Sequence, residues 1–459
     1  MGKIIFSNFT PLLYYLIMVL KRGYILQMIA VAAIILIAGS YELPQYVSRL
    51  IVIAVLALID MRYWYSVRKY FTRRFRKVLT FAYWLPLWLL LMFFVGSLIT
   101  PYPEWNTVLR IYYPGILLIF LIGKGIFLAL LIASDIFIIP LNAIRQVNPE
   151  NIKNGGKWYR PRCFMLIAAG IASIVMLMFI SGMFLWVSDY KLHTIEIPVK
   201  DLPKAFDGYK LVQLSDFHLG EFVNDNSLNK IIKITNDQKP NIILFTGDMV
   251  SFTTDEVYPF EQKMKEFAAQ DGIYSILGNH DYGEYSRWDT PEAKDLNDKE
   301  LFEFYDRIGW HLLRNQNAVI NKDTSTIAII GVENWSMTKR FGKKGDLAKA
   351  IKGTESTQFK VLMTHDPSHW DGEVNKMYPQ IGLTLSGHTH AFQFAIERKS
   401  VKWSPASLIF KEWGGLYEKI HSNGITQFLY VNRGAGTLGY PGRIFTRPEI
   451  TLIILRRVS

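Results

Sequence analysis

Cysteine is nearly absent from this chain of 459 residues, and histidine is absent from its first part. Cys163 is the single cysteine, which excludes a disulfide framework and a cysteine-based metal cluster. All nine histidines lie at or after His193. Chemistry that needs imidazole groups therefore belongs to the second part of the chain.

Charged residues are sparse in long stretches before Asp189, and half of the chain is apolar. Five such stretches are long enough to form helices across a bilayer: residues 23–39, 50–64, 78–102, 111–140 and 163–187. We therefore expect residues 1–188 to form a transmembrane region of about five helices. Residues 189–459 are expected to form a separate domain. The residues alone leave open whether the apolar stretch 4–20, interrupted by Pro11, also spans the bilayer.

The net charge of +12 comes largely from lysines and arginines in loops beside the apolar stretches. Basic residues concentrate at 21–22, 68–77 and 145–162, whereas the loops 40–48 and 100–110 carry almost none. The positive-inside rule places the three basic loops in the cytoplasm. The sequence thus predicts a multi-pass protein of the cell membrane with its second domain outside the cytoplasm. Because these loops account for much of the charge, nucleic-acid binding is disfavoured.

After Asp189, strand-like and helix-like patterns alternate, which predicts an α/β sheet covered by helices. The predicted strands are residues 209–214, 241–245, 273–277, 328–330, 360–363, 381–385, 428–431 and 451–455. The predicted helices are residues 226–236, 256–269 and about 300–307.

Acids, amides and imidazoles directly follow five of the predicted strands. In chain order they are Asp216 and His218, then Asp248, then Asn279, His280 and Asp281, then His365, and finally His388 and His390. Ligand sites in open α/β sheets gather beyond the carboxyl ends of the strands. Such groups are costly to bury together unless they bind something, and a metal ion is the obvious candidate. Each motif alone is weak evidence for a metal site, because a lone histidine is usually a packed core residue. The ordered set of five carries the prediction.

This ordered set resembles the calcineurin-like metallophosphoesterase superfamily, and most closely its membrane-anchored bacterial YkuE/YaeI-like branch. The resemblance covers about residues 190–459 and includes the tail segments 430–437 and 447–450. It implies a multi-span α-helical membrane region followed by a calcineurin-like α/β sandwich. The chain departs from that branch where Ala391, Phe392 and Gln393 follow His390 in place of glycines.

The resemblance also implies a dinuclear metal centre. One ion would be held by Asp216, His218, Asp248 and His390, and the other by Asp248, Asn279, His365 and His388. Asp248 would bridge the two ions, while His280 would stand near the scissile phosphate with Asp281 orienting its ring. This mixture of imidazole, carboxylate and amide ligands suits Mn, Fe or Zn better than Ca or Mg. Two such ions can clamp phosphoryl oxygens and activate water, which suits hydrolysis of phosphate esters or pyrophosphates.

The expected substrate is a phosphate compound, and the adjoining bilayer makes a lipid-linked phosphate a candidate, with Phe392, Trp403 and Trp413 as apolar contacts. Two alternatives stay open at this point. One is a cytoplasm-facing pyrophosphatase acting on a lipid such as UDP-diacylglucosamine. The other is a transporter or sensor whose outer domain only binds a ligand.

Overall fold

A computed structural model describes residues 47–147, 161–200, 202–338, 341–398 and 401–458. The contacts divide the chain into two compact units. One holds Met1–Thr100 and Ile116–Met178, and the other holds Pro101–Gly115 and Phe179–Ser459. The second unit therefore includes a short segment that lies, in the sequence, between two parts of the first unit.

Apolar helices form most of the described part of the first unit. Their bounds are α1 Val47–Val67, α2 Arg76–Ile99, α3 Thr107–Val147, which also enters the second unit, and α4 Arg162–Ser181. The segments Arg76–Ile99, Thr107–Ile138 and Arg162–Trp186 are long and apolar enough to cross a membrane. The predicted stretches 50–64, 78–102, 111–140 and 163–187 overlap α1 to α4 in turn, but α1 is not among the three segments that are long and apolar enough to cross a membrane. The predicted stretches 4–20 and 23–39 lie outside the described residues.

The second unit contains fourteen described strands in two six-stranded sheets and one hairpin. The strands are β1 Lys191–Lys200, β2 Lys210–Leu214, β3 Ile242–Phe245, β4 Ile273–Ser275, β5 His311–Leu312, β6 Gln316–Lys322, β7 Ser325–Gly331, β8 Phe359–Met363, β9 Leu383–Ser386, β10 Ile396–Arg398, β11 Val401–Trp403, β12 Gly415–Ile420, β13 Thr426–Val431 and β14 Glu449–Val458. The first sheet has the order β1-β14-β2-β3-β4-β5 and the second the order β12-β13-β9-β8-β7-β6.

The two sheets pack face to face around a shared apolar core. Leu211 and Leu244 of the first sheet join Ile329, Val361 and Leu385 of the second in one buried cluster. Helices cover the outer faces of the two sheets. Three helices alternate in sequence with strands of the first sheet: α5 Asn226–Asp237, α6 Glu261–Met264 and α7 Pro291–Arg307. Two alternate with strands of the second sheet: α8 Leu347–Ala350 and α9 Asn375–Met377. This arrangement confirms the predicted α/β sandwich.

Two predicted helices differ from those in the structure. The segment predicted as one helix over 256–269 is a 3₁₀ turn, Thr254–Phe260, followed by the single helical turn α6. Pro259 inside this segment cannot donate a backbone hydrogen bond, which prevents a continuous helix. The helix predicted near 300–307 begins much earlier, because Thr290 caps its N-terminus by accepting a hydrogen bond from the backbone N–H of Ala293.

Strand direction explains why polar loops meet at one place. Strands β2, β3 and β4 run parallel to one another, and so do β8, β9 and β13. Parallel strands place their carboxyl ends at the same edge of a sheet. The Gln213 side chain in β2 donates a hydrogen bond to the Ser386 carbonyl at the end of β9, at 2.9 Å. This bond joins the two sheets where their loops carry the candidate ligands.

Candidate metal centre

Six of the predicted ligands form two compact groups at this edge. The donor atoms within each group lie within 4.8 Å of one another, and the groups are Asp216, His218 and His390, and Asp248, His365 and His388. Five of these side chains are buried and His388 is partly buried. Residues that are far apart in sequence are thus brought into one pair of neighbouring clusters.

The distances inside the groups fit ligands that share an ion. In the first group, Nε2 of His390 lies 3.1 Å from Nε2 of His218 and 3.3 Å from Oδ1 of Asp216. In the second, Nε2 of His365 lies 3.1 Å from Oδ2 of Asp248 and 3.3 Å from Nδ1 of His388. Ligand atoms at about 2.0–2.2 Å from one transition-metal ion are separated by roughly 3–3.5 Å. The donor set and its spacing therefore fit one divalent ion in each group.

Asp248 lies between the two groups. Its Oδ2 is 3.1 Å from Nε2 of His365 in the second group and 3.5 Å from Nε2 of His218 in the first. Its Oδ1 accepts a hydrogen bond from the backbone N–H of His280 at 2.9 Å. One oxygen is thus fixed by the backbone, and the other is within reach of both groups.

Asn279 is buried, and a hydrogen bond holds its amide in one orientation. The Nδ2 group donates to the hydroxyl of Tyr285 at 2.8 Å. The Oδ1 atom is buried and has no hydrogen-bond partner in the part of the chain that the structure describes. A buried carbonyl oxygen without a partner is costly, and a metal ion would satisfy it. This arrangement fits the amide ligand that the resemblance implies.

Two histidines have their tautomers fixed by backbone carbonyls. His365 donates from Nδ1 to the Thr246 carbonyl at 2.7 Å, and His280 donates from Nδ1 to the Ser251 carbonyl at 2.8 Å. Because a carbonyl can only accept, the proton sits on Nδ1 and Nε2 is left available. In His365 this nitrogen points into the second group, as expected for a ligand held by a backbone partner.

The prediction that Asp281 orients the His280 ring is wrong in this structure. The carboxylate of Asp281 instead accepts four backbone hydrogen bonds, from Gly278, Asp248, Met249 and Val250. Burial and the neighbouring Asp248 raise the pKa of Asp281 to about 7, whereas the N–H donors favour its ionised form. Asp281 therefore ties the loop after β3 to the loop after β4, and the Ser251 carbonyl orients His280.

The backbone of the ligand-bearing loops is strained. Five ligand residues adopt left-handed φ angles, namely Asp216 at 54°, His218 at 48°, Asp248 at 60°, His388 at 73° and His390 at 48°. Such conformations cost free energy in residues other than glycine and persist where the surroundings impose them, commonly at functional sites. A Cβ atom at Gly278 would overlap the Asp248 carboxylate, so this loop requires glycine.

The electrostatics of the two groups favour positive charge. Burial acts to raise the pKa of Asp216, but the neighbouring His390 and His365 lower it to about 2. Burial likewise opposes protonation of His365, but Asp248 raises its pKa to about 10. The carboxylates thus stabilise cationic charge at this site, which is what divalent ions would supply.

Three residues near the centre were not predicted as site residues. Tyr285 stacks on the His280 ring with a centroid distance of 4.2 Å and an interplanar angle of 23°. Asp366 is buried with Oδ2 at 3.8 Å from Nε2 of His388. Arg443 is fully buried, and its Nη2 donates to three carbonyls of the tail loop that follows β13. The sequence contained a signal only for Asp366, which directly follows His365.

The tail loop explains the resemblance in residues 430–437. The backbone N–H groups of Ala435 and Gly436 donate to the carbonyls of Ser215 and Asp216, at 3.0 and 2.8 Å. The loop therefore holds the strained backbone of Asp216 from behind.

Comparison with known proteins matches part of this chain to a described family. Residues 209–392 match the family described as calcineurin-like phosphoesterase. A Bacillus subtilis protein named uncharacterized metallophosphoesterase YkuE is 29% identical over 281 residues, which cover 60% of this chain and 89% of that protein. A Danio rerio protein named transmembrane protein with metallophosphoesterase domain is 29% identical over 275 residues, which cover 58% of this chain. The match spans only 57% of the length of the Danio rerio protein.

Among solved structures, a 5'-nucleotidase precursor from Thermus thermophilus aligns with a TM-score of 0.35 and 13% sequence identity. The alignment covers 54% of each chain. The family match and the named relatives confirm the resemblance that the ordered motifs indicate. Residues 209–392 of this chain are a calcineurin-like metallophosphoesterase domain.

Proposed function

We propose that this protein is a membrane-bound phosphoesterase whose dinuclear metal centre hydrolyses a phosphate ester or pyrophosphate at the outer face of the cell membrane. The observation that carries the proposal is the position of Asp248, whose Oδ2 lies within 3.5 Å of histidine nitrogens from both groups. A bridging carboxylate holds two cations close enough to act on one phosphoryl group.

Asp216, His218, Asp248 and His390 would hold one ion, and Asp248, Asn279, His365 and His388 the other. Mn, Fe or Zn would match these ligands. The ions would supply the Lewis acidity that activates water and neutralises phosphoryl oxygens. In the reaction the oxygen of water bonds to phosphorus and water gives up one proton, the bond from phosphorus to the leaving oxygen breaks, and the leaving oxygen takes up a proton.

We assign His280 one of two roles. It either donates that proton to the leaving oxygen or stabilises the negative charge that develops on the phosphoryl group. Its Nδ1 is committed to the Ser251 carbonyl, so Nε2 is the nitrogen that can face the substrate. The ring is held between His218, at a centroid distance of 4.9 Å, and Tyr285. A histidine in a fixed orientation can act as a general acid or donate a hydrogen bond to developing negative charge.

The test is phosphate release by purified full-length protein that has been stripped of metal and then supplied with single ions. We expect release only after Mn, Fe or Zn is added. His280→Ala should lower turnover by about 10²–10⁴-fold while leaving the number of bound ions unchanged. His311→Ala, which alters a histidine on the edge strand β5, is the matched control and should behave as the unaltered protein. Full activity in His280→Ala would refute the assignment.

The outer face and the lipid-linked substrate are finer parts of the same proposal. Basic loops beside the apolar stretches support the orientation, and relatives named transmembrane proteins support membrane attachment. Protease treatment of spheroplasts should cut the phosphoesterase domain if it lies outside the cytoplasm. Protection of the domain until the membrane is permeabilised would instead favour the cytoplasm-facing pyrophosphatase.

A further inference from the structure

An apolar surface beside the metal centre extends well beyond Phe392 and Trp403. We define the apolar rim as Phe392, Val401, Trp403, Leu408, Ile409 and Phe445, all of which are exposed in the described part of the chain. Leu408 is 81% exposed and Ile409 is 62% exposed. Large side chains grouped at a surface in this way mark an interaction site.

Ring contacts connect the apolar rim to the end of an apolar helical segment. Trp186 is the last residue of the membrane-length segment Arg162–Trp186. Its ring lies 5.2 Å from that of Phe445, and Phe394 lies 5.9 Å from both Phe445 and Trp403. The rim is therefore continuous with the point at which the chain leaves that segment.

The other side of the rim borders the metal centre. Phe410 directly follows Ile409, and its ring meets the His388 ring edge-on at 5.3 Å. The Ser404 hydroxyl donates to the Ala391 carbonyl, and Ala391 is next to His390. The loop that carries Leu408 and Ile409 thus packs directly on the segment that carries two candidate ligands.

Basic and aromatic residues accompany the rim. Lys402 lies between Val401 and Trp403, and Lys411 follows Phe410 with its side chain 75% exposed. Tryptophan together with lysine or arginine beside apolar side chains is the composition of surfaces at the bilayer interface. The Lys411 ammonium pairs with Asp371 and Glu412, and the Lys402 ammonium donates to the Gly414 carbonyl, so the aromatic and apolar residues carry this comparison.

We propose that the apolar rim inserts into the bilayer interface and presents the metal centre to the phosphate of a membrane lipid. This inference rests on the proposed phosphoesterase function and specifies its substrate class as an amphiphile whose apolar chains stay in the bilayer. A site whose edge is immersed at the interface receives the head group without extracting the lipid. The continuity from Trp186 through Phe445 to Trp403 identifies the bilayer as the occupant of the rim.

The location of the rim is tested with spin labels in full-length protein in phosphatidylcholine nanodiscs. Cys163→Ser removes the single cysteine, after which Leu408→Cys or Ile409→Cys receives the label. Val319→Cys, an exposed valine on the edge strand β6, is the matched control. We expect labels at 408 and 409 to be accessible to oxygen but not to an aqueous nickel chelate, with the reverse at 319. Aqueous accessibility at 408 and 409 would overturn the proposal, and so would exclusion of both reagents, which would show that protein covers the rim.

The substrate class is tested by the variant Leu408→Ser with Ile409→Ser, with Val319→Ser as control. The kcat/KM for phosphatidic acid in nanodiscs should fall about ten-fold or more, since two apolar side chains no longer enter the interface. Hydrolysis of soluble p-nitrophenyl phosphate should stay unchanged. An unchanged rate on the lipid, or an equal loss on both substrates, would overturn the inference. If the unaltered protein hydrolysed neither substrate, the proposed function would be contradicted. The spin-label measurement does not depend on activity and would still test the location of the rim.

Discussion

Replacing Asp281 by asparagine tests how the centre is held together. In the structure, Oδ2 of Asp281 accepts from the N–H groups of Gly278 and Asp248, and Oδ1 accepts from those of Met249 and Val250. Asparagine has nearly the same shape, but its NH₂ group must face one of these two pairs of donors. Two buried N–H groups then lose their acceptor, at a cost of about 1–3 kcal/mol each. We therefore expect Asp281→Asn to lower the free energy of unfolding by roughly 2–6 kcal/mol.

The same change should weaken metal binding, because the loops held by Asp281 carry Asp248 and Asn279. We expect a fall in the affinity for added Mn of about 10–100-fold, the usual range for loss of a residue that supports a ligand. Denaturant unfolding and metal titration of detergent-purified protein measure the two effects. Asp323→Asn, in the exposed turn between β6 and β7, is the control. If Asp281→Asn kept full stability and metal affinity while losing only turnover, Asp281 would act through His280 and our assignment would be refuted.

Two further changes probe the surroundings of the centre. Tyr285→Phe removes the hydroxyl that accepts from Asn279, so we expect about 10–100-fold weaker binding of one of the two ions in a metal titration. Equal loss for both ions would contradict this role. Burial would raise the pKa of Glu449, but Arg433 lowers it to about 2 from 4.5, which corresponds to about 3 kcal/mol of stability. That contribution is present above pH 4.5 and lost as the pH falls towards 2, so the stability gap between the unaltered protein and Glu449→Gln should close over this range. A stability difference between the two proteins that stays constant with pH would refute this contribution of Glu449.

The sequence could indicate that six of the candidate ligands come together, because their positions depend on strand ends. A short apolar run followed by polar residues marks where a buried parallel strand leaves the sheet, and β2, β3, β8 and β9 all follow this pattern. Strands such as β12 were missed because both of their faces are partly exposed and their residues are of mixed polarity.

The role of Asp281 could not be predicted, because its partners are backbone N–H groups that any sequence would supply. Tyr285 was missed for a related reason. It lies in an irregular loop, and its contacts with Asn279 and His280 depend on the path of that loop and on no periodic pattern.

The number of ions bound per chain tests the central claim most directly. Equilibrium dialysis of metal-stripped protein against Mn should give two ions for the unaltered chain. His390→Ala should retain one ion, because His390 belongs to the first group alone, whereas Asp248→Ala should lose both, because its carboxylate serves both groups. Equal numbers of bound ions in His390→Ala and Asp248→Ala would contradict a shared carboxylate between two metal ions.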